Sequence, residues 1–186
     1  KRVFPCDAEE TVMRKYIVLL FLTICTGGAS APFVQNNLPK DVLMAMEKVV
    51  DVASENQDAF FFYVYTAVLW QESRWKQNTL NHNTDGSYDY GIAQLNSRYF
   101  PIWKDYNGWD IRTTWGNAYV GAKHFQYLVK VYKGDYYKAL LAYNCGMGNV
   151  ARNTVPKVTH IYARRILLNA KMNEGKPALN MGKERR

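Results

Sequence analysis

An apolar run that ends in a carboxylate constrains this sequence more than any other feature. Ala59 to Gln71 reads AFFFYVYTAVLWQ, and Glu72 is the first charged side chain after it. Because apolar residues occupy nearly every position, the pattern predicts a helix that is buried on most sides. Such a helix must be enclosed by other elements. A chain of 186 residues, 48% of them apolar, is long enough for one domain with that core.

The position of Glu72 predicts a raised pKa. Its stem leaves an apolar wall flanked by Trp70 and Trp75, and burial disfavours the charged form of a carboxylic acid. The C-terminal end of a helix is partly negative, which again favours the protonated acid. A rise of about two pKa units costs about 2.7 kcal/mol and suits a general acid. The residues alone leave an alternative open, in which Glu72 caps the helix or pairs with Arg74 or Lys76.

A second carboxylate, Asp89, lies in a polar segment that follows. Residues 77–89 are mainly Asn, Thr, His, Asp, Gly and Ser, which predicts turns and short strands. A small hairpin and then a short helix are expected over Tyr88 to Leu95. Paired carboxylates are the usual equipment of glycosidases, so Asp89 is a candidate partner of Glu72. Aspartates also organise turns, which is the interpretation we favour for Asp85, whereas both remain open for Asp89.

The other periodic segments predict helices. Apolar residues recur at helical spacing over Pro39 to Gln57, Asn117 to Tyr132, Asp135 to Tyr143 and Lys157 to Ala170. The expected fold is therefore α+β and mostly helical, with a small β-hairpin insert, and its domain covers residues 40–170. We expect the basic segment 171–186 to be a mobile tail.

The front of the chain predicts export to the periplasm or cell envelope. A basic start at Met13, an apolar core over Tyr16 to Ile24 and small residues up to Ala31 are typical of a signal peptide. Residues 13–31 are interpreted as that signal, and residues 1–12 as upstream of the start. A membrane anchor is the alternative, but a span needs about 20 apolar residues and this core is shorter.

The net charge, the cysteines and the histidines limit the partners, disulfides and cofactors that can be expected. The net charge of +8 favours a polyanionic neighbour, whether nucleic acid, anionic lipid or an acidic cell-wall polymer. Cys145 alone would remain after removal of the signal, so the mature chain has no internal disulfide. His82, His124 and His160 lack metal-ligand spacing, and we expect neither a metal nor an organic cofactor.

Four motifs, taken in order, resemble the bacterial lytic transglycosylases of the soluble-lytic type (family 1). Glu72-Ser73 closes a helix, and Gly91-Ile92-Ala93-Gln94 resembles the GxxQ element of that family. Residues 142–150, AYNCGMGNV, resemble its AYNxGxGxV element, and Tyr162 stands where its late tyrosine is expected. The resemblance is strongest to the small exported enzymes that accompany secretion and conjugation machines, which raises such an apparatus as a candidate partner.

Residues 83–98 also resemble the NTDGSxDYGIxQxNSR pattern of animal c-type lysozymes. A c-type lysozyme needs several disulfides, which a single remaining cysteine cannot form, so the transglycosylase resemblance is preferred. Both resemblances imply a lysozyme-like fold.

The resemblance implies cleavage of the β-1,4 bond between N-acetylmuramic acid and N-acetylglucosamine in peptidoglycan. Glu72 would act first as the acid on the leaving oxygen and then as the base on the muramoyl 6-hydroxyl, which closes a 1,6-anhydro ring. Asp89 would be the second catalytic residue if it faces the cleft. The residues implied to bind substrate are Ser73, Gln94, Tyr143, Asn144 and Tyr162. Tyr143 and Tyr162 are also explicable as packing residues, and Gln94 and Asn144 as capping residues.

Two other functions remain open. A muramidase, a lysozyme-type hydrolase, would use Glu72 and Asp89 and release reducing ends. A non-catalytic module that binds cell wall or nucleic acid is supported only by the basic tail. The expected partners are peptidoglycan glycan strands, with no nucleic acid and no stable membrane span, and we expect a monomer.

Overall fold

The apolar run forms the buried helix that its composition predicts. The computed structural model describes residues 38–55, 57–101 and 110–173. Its first two helices are α1 (Lys40–Glu55) and α2 (Ala59–Ser73). Nine of the fifteen residues of α2 are buried, among them Tyr65 and Leu69 with no exposed surface. The apolar character all round α2 therefore reflects neighbours on most of its sides.

A side-chain cap marks the start of α2, and a change in backbone conformation marks its end. The Asp58 carboxylate accepts a hydrogen bond from the backbone N–H of Phe61 and caps the N-terminus. At the other end, Arg74 and Trp75 both adopt left-handed conformations, with φ of 55° and 61°. That conformation costs a residue with a side chain about 1–2 kcal/mol and cannot continue a right-handed helix. Glu72 is consequently held in the last turn of α2.

Three short antiparallel strands follow α2. They are β1 (Leu80–His82), β2 (Tyr88–Tyr90) and β3 (Leu95–Asn96), in the spatial order β1-β2-β3. A 3₁₀ turn over Ser97–Tyr99 comes directly after β3. The hairpin and short helix expected here are thus present, and the pairing extends to a third strand.

The remaining helices enclose α2 and complete the fold. They are α3 (Thr114–Val131), α4 (Tyr136–Cys145), α5 (Met147–Ala151) and α6 (Lys157–Asn173). Helix α1 packs on α2 and α3, and α6 packs on α2 and α4. The prediction of an α+β, mostly helical fold with a small β insert is confirmed.

Parts of the predicted organisation fall outside the described residues. The interpreted signal peptide, residues 13–31, is one of them, and residues 174–186 of the expected tail are another. Helix α6 continues to Asn173, so the first residues of that tail are helical. Among the helices of the described ranges, none combines the length and hydropathy needed to cross a membrane.

Candidate active site

Glu72 lies in the last turn of α2 and faces Tyr162 of α6. The Tyr162 hydroxyl donates a hydrogen bond to Oε1 of Glu72 across 2.5 Å. Burial raises the pKa of Glu72 to about 7, although the Tyr162 hydrogen bond opposes the rise and the charge of Asp89 adds to it. The raised pKa agrees with the sequence prediction, and burial is its largest cause. The acid therefore keeps its proton over most of the range below neutrality.

Arg74, one of the two basic neighbours that the salt-bridge alternative named, is engaged elsewhere. The Arg74 guanidinium lies 5.0 Å from the centre of the Trp70 ring and donates to the Trp70 carbonyl at 2.9 Å. Trp70 and the buried Trp75 pack edge to face, with ring centres 5.1 Å apart. The residues that follow Glu72 thus turn back on the helix end.

Two further tyrosines lie beside Glu72. Tyr143 of α4 donates a hydrogen bond to the Ala93 carbonyl at 2.9 Å, and its oxygen is 3.4 Å from that of the fully buried Tyr65. Burial and then the Glu72 carboxylate raise the pKa of Tyr143 and of Tyr162 well above the usual range. Both phenols therefore remain neutral hydrogen-bond donors at any physiological pH.

A glycine in the middle of α3 makes room for this tyrosine pair. A Cβ atom at Gly121 would lie 2.2 Å from the Tyr65 hydroxyl and 2.7 Å from the Ala93 side chain, closer than atoms can approach. Ala93 is itself fully buried. The small residues Gly121 and Ala93 allow the hydroxyls of Tyr65 and Tyr143 to meet beneath the site. Helical periodicity does not reveal this requirement.

Ser73 joins the end of α2 to the segment Gly91–Gln94. Its side chain is buried, and its hydroxyl oxygen lies 2.8 Å from the Ile92 carbonyl and 3.1 Å from the Leu69 carbonyl. The structure therefore places Ser73 next to Glu72 but beneath the surface, where it positions the two segments relative to each other.

The segment Gly91–Gln94 is pinned to α3 by Asn117, a residue that the sequence did not indicate. Asn117 has no exposed surface, and its amide oxygen accepts a hydrogen bond from the Ala93 N–H at 2.8 Å. Its amide nitrogen donates to the carbonyls of Tyr90 and Ile111, at 3.2 and 3.1 Å. One buried amide thereby fixes three separate points of backbone.

Gly91 and Gln94 of the GxxQ element have separate geometric tasks. Gly91 has φ of 88°, and a Cβ atom there would lie 2.3 Å from the Asn117 amide, so only glycine fits. The Gln94 amide nitrogen donates to the carbonyls of Gly91 and Thr79, at 2.8 and 3.1 Å. Its amide oxygen accepts from Asn81 on β1. Gln94 is thus held by the sheet.

Asp89 lies at the centre of β2, opposite Asn81 on one side and Asn96 on the other. Its two carboxylate oxygens accept hydrogen bonds from the side-chain amides of Asn96, at 2.8 Å, and Asn83, at 3.1 Å. The charge of Asp89 contributes to the raised pKa of Glu72, so the two carboxylates are close enough to interact.

Asp85, by contrast, organises the turn between β1 and β2. Its carboxylate accepts hydrogen bonds from the backbone N–H and the hydroxyl of Ser87, at 3.0 and 2.6 Å, and pairs with Arg98 at 3.0 Å. The interpretation favoured from the sequence is confirmed for this residue.

Asn144 lies at the junction of α4 and α6. Its side-chain oxygen accepts a hydrogen bond from the Thr159 hydroxyl at 2.7 Å, and the residue is otherwise exposed. Of the residues implied by the resemblance, Tyr143 and Tyr162 are thus brought to Glu72 together with Asp89. Asn144 is held by a contact with α6, and Gln94 is held by a contact with the sheet.

These features define a class of enzyme. An acid that holds its proton near neutrality, with a second carboxylate close by, is the equipment of proteins that cleave glycosidic bonds. Residues 54–159 match the family described as the transglycosylase SLT domain, and the chain belongs to that family. Its members are lytic transglycosylases that act on peptidoglycan, so the protein is an enzyme of this class.

Two curated proteins illustrate the relationship. The invasion protein IagB of Salmonella typhimurium (strain SL1344) is 29% identical over 144 residues, which cover 74% of this chain and 80% of IagB. Lysozyme C of Takifugu rubripes is 62% identical over 29 residues, which cover 16% of this chain and 20% of the lysozyme. No solved structure matches the chain significantly.

Proposed function

We propose that this protein cleaves the β-1,4 bond between N-acetylmuramic acid and N-acetylglucosamine and leaves a 1,6-anhydromuramoyl end. The observation that supports this most directly is the Glu72 carboxyl group, buried, hydrogen-bonded to Tyr162 and with a pKa raised to about 7. A group of that pKa can both donate and accept a proton near neutral pH.

In the first step Glu72 donates its proton to the glycosidic oxygen. The bond between C1 of the muramoyl sugar and that oxygen breaks, and the leaving sugar departs with a neutral hydroxyl. The carboxylate that results accepts the Tyr162 hydrogen bond, which favours the charged form. Tyr162 thereby stabilises Glu72 in the state that it must occupy between the two steps.

In the second step the Glu72 carboxylate takes the proton of the muramoyl 6-hydroxyl. The oxygen so activated attacks C1 and closes the anhydro ring. Glu72 recovers its proton, no water is consumed, and no cofactor enters the balance. Burial, which raises the pKa of Glu72, also favours this return of the proton.

A muramidase is the second candidate, and Asp89 is the observation in its favour. The side-chain amides of Asn83 and Asn96 hold the Asp89 carboxylate within electrostatic range of Glu72. A carboxylate in that position can stabilise positive charge at C1 while water attacks. The products then carry reducing ends instead of anhydro ends.

We further propose that the enzyme is exported and acts in the periplasm or cell envelope. The signal-like residues 13–31 and the substrate class support this location. The similarity to a protein named for invasion is the basis for proposing a secretion or conjugation apparatus as a partner. The net charge of +8 favours an anionic wall polymer whose peptide stems carry free carboxylates.

Mass spectrometry of digested peptidoglycan distinguishes the proposed products. Anhydromuramoyl ends are expected, whereas reducing ends alone would overturn the transglycosylase in favour of the muramidase. Glu72→Gln should abolish the release of either product but leave binding to insoluble peptidoglycan intact. A wild-type protein that binds the wall and releases nothing would instead support the non-catalytic module.

A further inference from the structure

Helix α6, which supplies Tyr162 to the site, has a second face that the site does not use. Its buried side, which includes Ala163 and Ile166, packs toward α2 and α4. The opposite side exposes large apolar residues to solvent. They are Val158 (70% exposed), Ile161 (54%), Leu168 (57%) and Met172 (37%).

These four side chains lie along one stripe of the helix. Their spacings of three, seven and four residues return to the same side of an α-helix. We call this stripe, together with the cations described next, the outer face of α6. Four large apolar side chains aligned on one exposed helix face are unlike the scattered single residues of an ordinary surface.

Every charged residue of α6 is a cation. Lys157, Arg164, Arg165 and Lys171 are all exposed, and the sequence of the helix, KVTHIYARRILLNAKMN, contains no aspartate or glutamate. Arg165 falls within the apolar stripe, and the other three lie along one flank of it. Helices α2 and α4, on which α6 packs, contain a single acidic residue, Glu72, and it faces the catalytic site.

The charges of the outer face of α6 indicate which kind of partner it can bind. A second copy of the same face would bring two sets of cations together without a carboxylate between them, which disfavours self-association. The outer face of α6 is also a narrow ridge along a single helix of 17 residues, about 25 Å long. A broad anionic surface can meet such a ridge along its whole length and satisfy every cation at once.

We propose that the outer face of α6 binds an anionic lipid surface. The apolar side chains enter the boundary between headgroups and acyl chains, and the lysine and arginine side chains extend to the lipid phosphates. Tyr162 lies at the edge of this face, four residues from Val158, and its hydroxyl turns inward to Glu72. The catalytic site therefore stays beside the membrane surface, within reach of glycan strands, instead of being covered by it.

The test is co-sedimentation of the full chain with vesicles of phosphatidylglycerol and phosphatidylethanolamine, compared with phosphatidylcholine alone. The paired substitutions Arg164→Glu and Arg165→Glu should weaken binding to the anionic vesicles at least tenfold, since two attractive charges become repulsive. Ile161→Ser with Leu168→Ser should weaken it similarly. Using the full chain ensures that the apolar segment 16–24 contributes equally to every variant.

Matched controls come from the C-terminal end of α3 and the turn that follows it, which carry exposed residues of the same kinds. Lys130→Glu with Lys133→Glu changes the net charge by the same amount, and Tyr127→Ser with Val131→Ser removes exposed apolar surface. These controls should bind like the wild type, and all variants should release muropeptides from soluble fragments at the wild-type rate, which verifies folding. Equal loss in the α3 and α6 variants would overturn the proposal. Binding to soluble polyglutamate but not to vesicles would also overturn it, in favour of an acidic protein partner.

Discussion

Glu72 and Asp89 are neighbours in one site but belong to regions that are built in opposite ways. Glu72 ends a helix whose side chains are almost all apolar, and its carboxylate accepts a hydrogen bond from Tyr162. Asp89 lies in a small antiparallel sheet, and the side-chain amides of Asn83 and Asn96 donate hydrogen bonds to its two carboxylate oxygens. The apolar helical region disfavours a charged carboxylate, whereas the sheet region supplies hydrogen-bond donors that stabilise one.

The difference assigns different work to two residues with the same chemical group. A carboxyl group in apolar surroundings keeps its proton until a substrate oxygen takes it, and is suited to proton transfer. A carboxylate surrounded by amide donors is suited to act as a fixed charge. Substitutions at Glu72, Asp89 and Tyr162 each change one side of this contrast.

The largest effect is expected from removing the proposed proton donor. Glu72→Gln should lower the rate of muropeptide release about 10³-fold, because an amide cannot transfer the proton. Glu47→Gln, at an exposed position of α1, is the matched control and should retain full activity. Residual lysis of more than a tenth in the Glu72 variant would mean that another group is the acid.

The burial of Glu72 should also be visible in stability. Its folded-state pKa lies above the unfolded value of 4.5, so the folded protein loses stability as the pH rises from 4.5 through about 7. The full difference is at most about 3 kcal/mol. Urea unfolding at pH 4.5 and pH 8 should show this loss for the wild type and its absence in Glu72→Gln. Parallel pH profiles for the two proteins would remove the case for a buried acid.

A smaller effect is expected from neutralising the fixed charge. Asp89→Asn should lower anhydro-product formation about tenfold and move the alkaline limb of the pH–rate profile to lower pH, because the charge that raises the Glu72 pKa is gone. A collapse as deep as that of Glu72→Gln would instead assign Asp89 an essential role and favour the muramidase.

The smallest change should come from Tyr162→Phe, and it should have the opposite sign. Loss of the hydrogen bond that stabilises the Glu72 carboxylate should raise the pKa of Glu72 and move the alkaline limb upward by about half a unit. The rate should fall only a few-fold at pH 6, where the acid is protonated in both proteins. A downward shift would show that Tyr162 does not act through this bond.

The helical region was the easier to predict from sequence. Apolar periodicity located each long helix within a few residues of its observed ends, and the position of Glu72 after an apolar run was enough to predict its raised pKa. These properties depend on residues close together in the chain. The family resemblance supplied Tyr143 and Tyr162, which periodicity alone would have assigned to packing.

The contacts that hold the site together were not predictable in the same way. Asn117 binds Ala93 across 24 positions of sequence, and Gly121 is required by tyrosines that come from two other helices. The amides that hold Asp89 lay in the recognised segment, but their role depends on strand register, which pairs Asp89 with Asn96. Such features follow from tertiary packing and leave only an isolated Asn or Gly in the sequence.

The most direct test of the account is a titration of the Glu72 carboxyl group. Carbon-13 NMR of glutamate-labelled protein, with Glu72→Gln to assign the signal, reports its pKa without reference to substrate. We expect a midpoint of about 7, lower in Asp89→Asn and higher in Tyr162→Phe. A midpoint near the ordinary value of 4.5, unchanged in both variants, would contradict the claim that apolar burial makes Glu72 the acid.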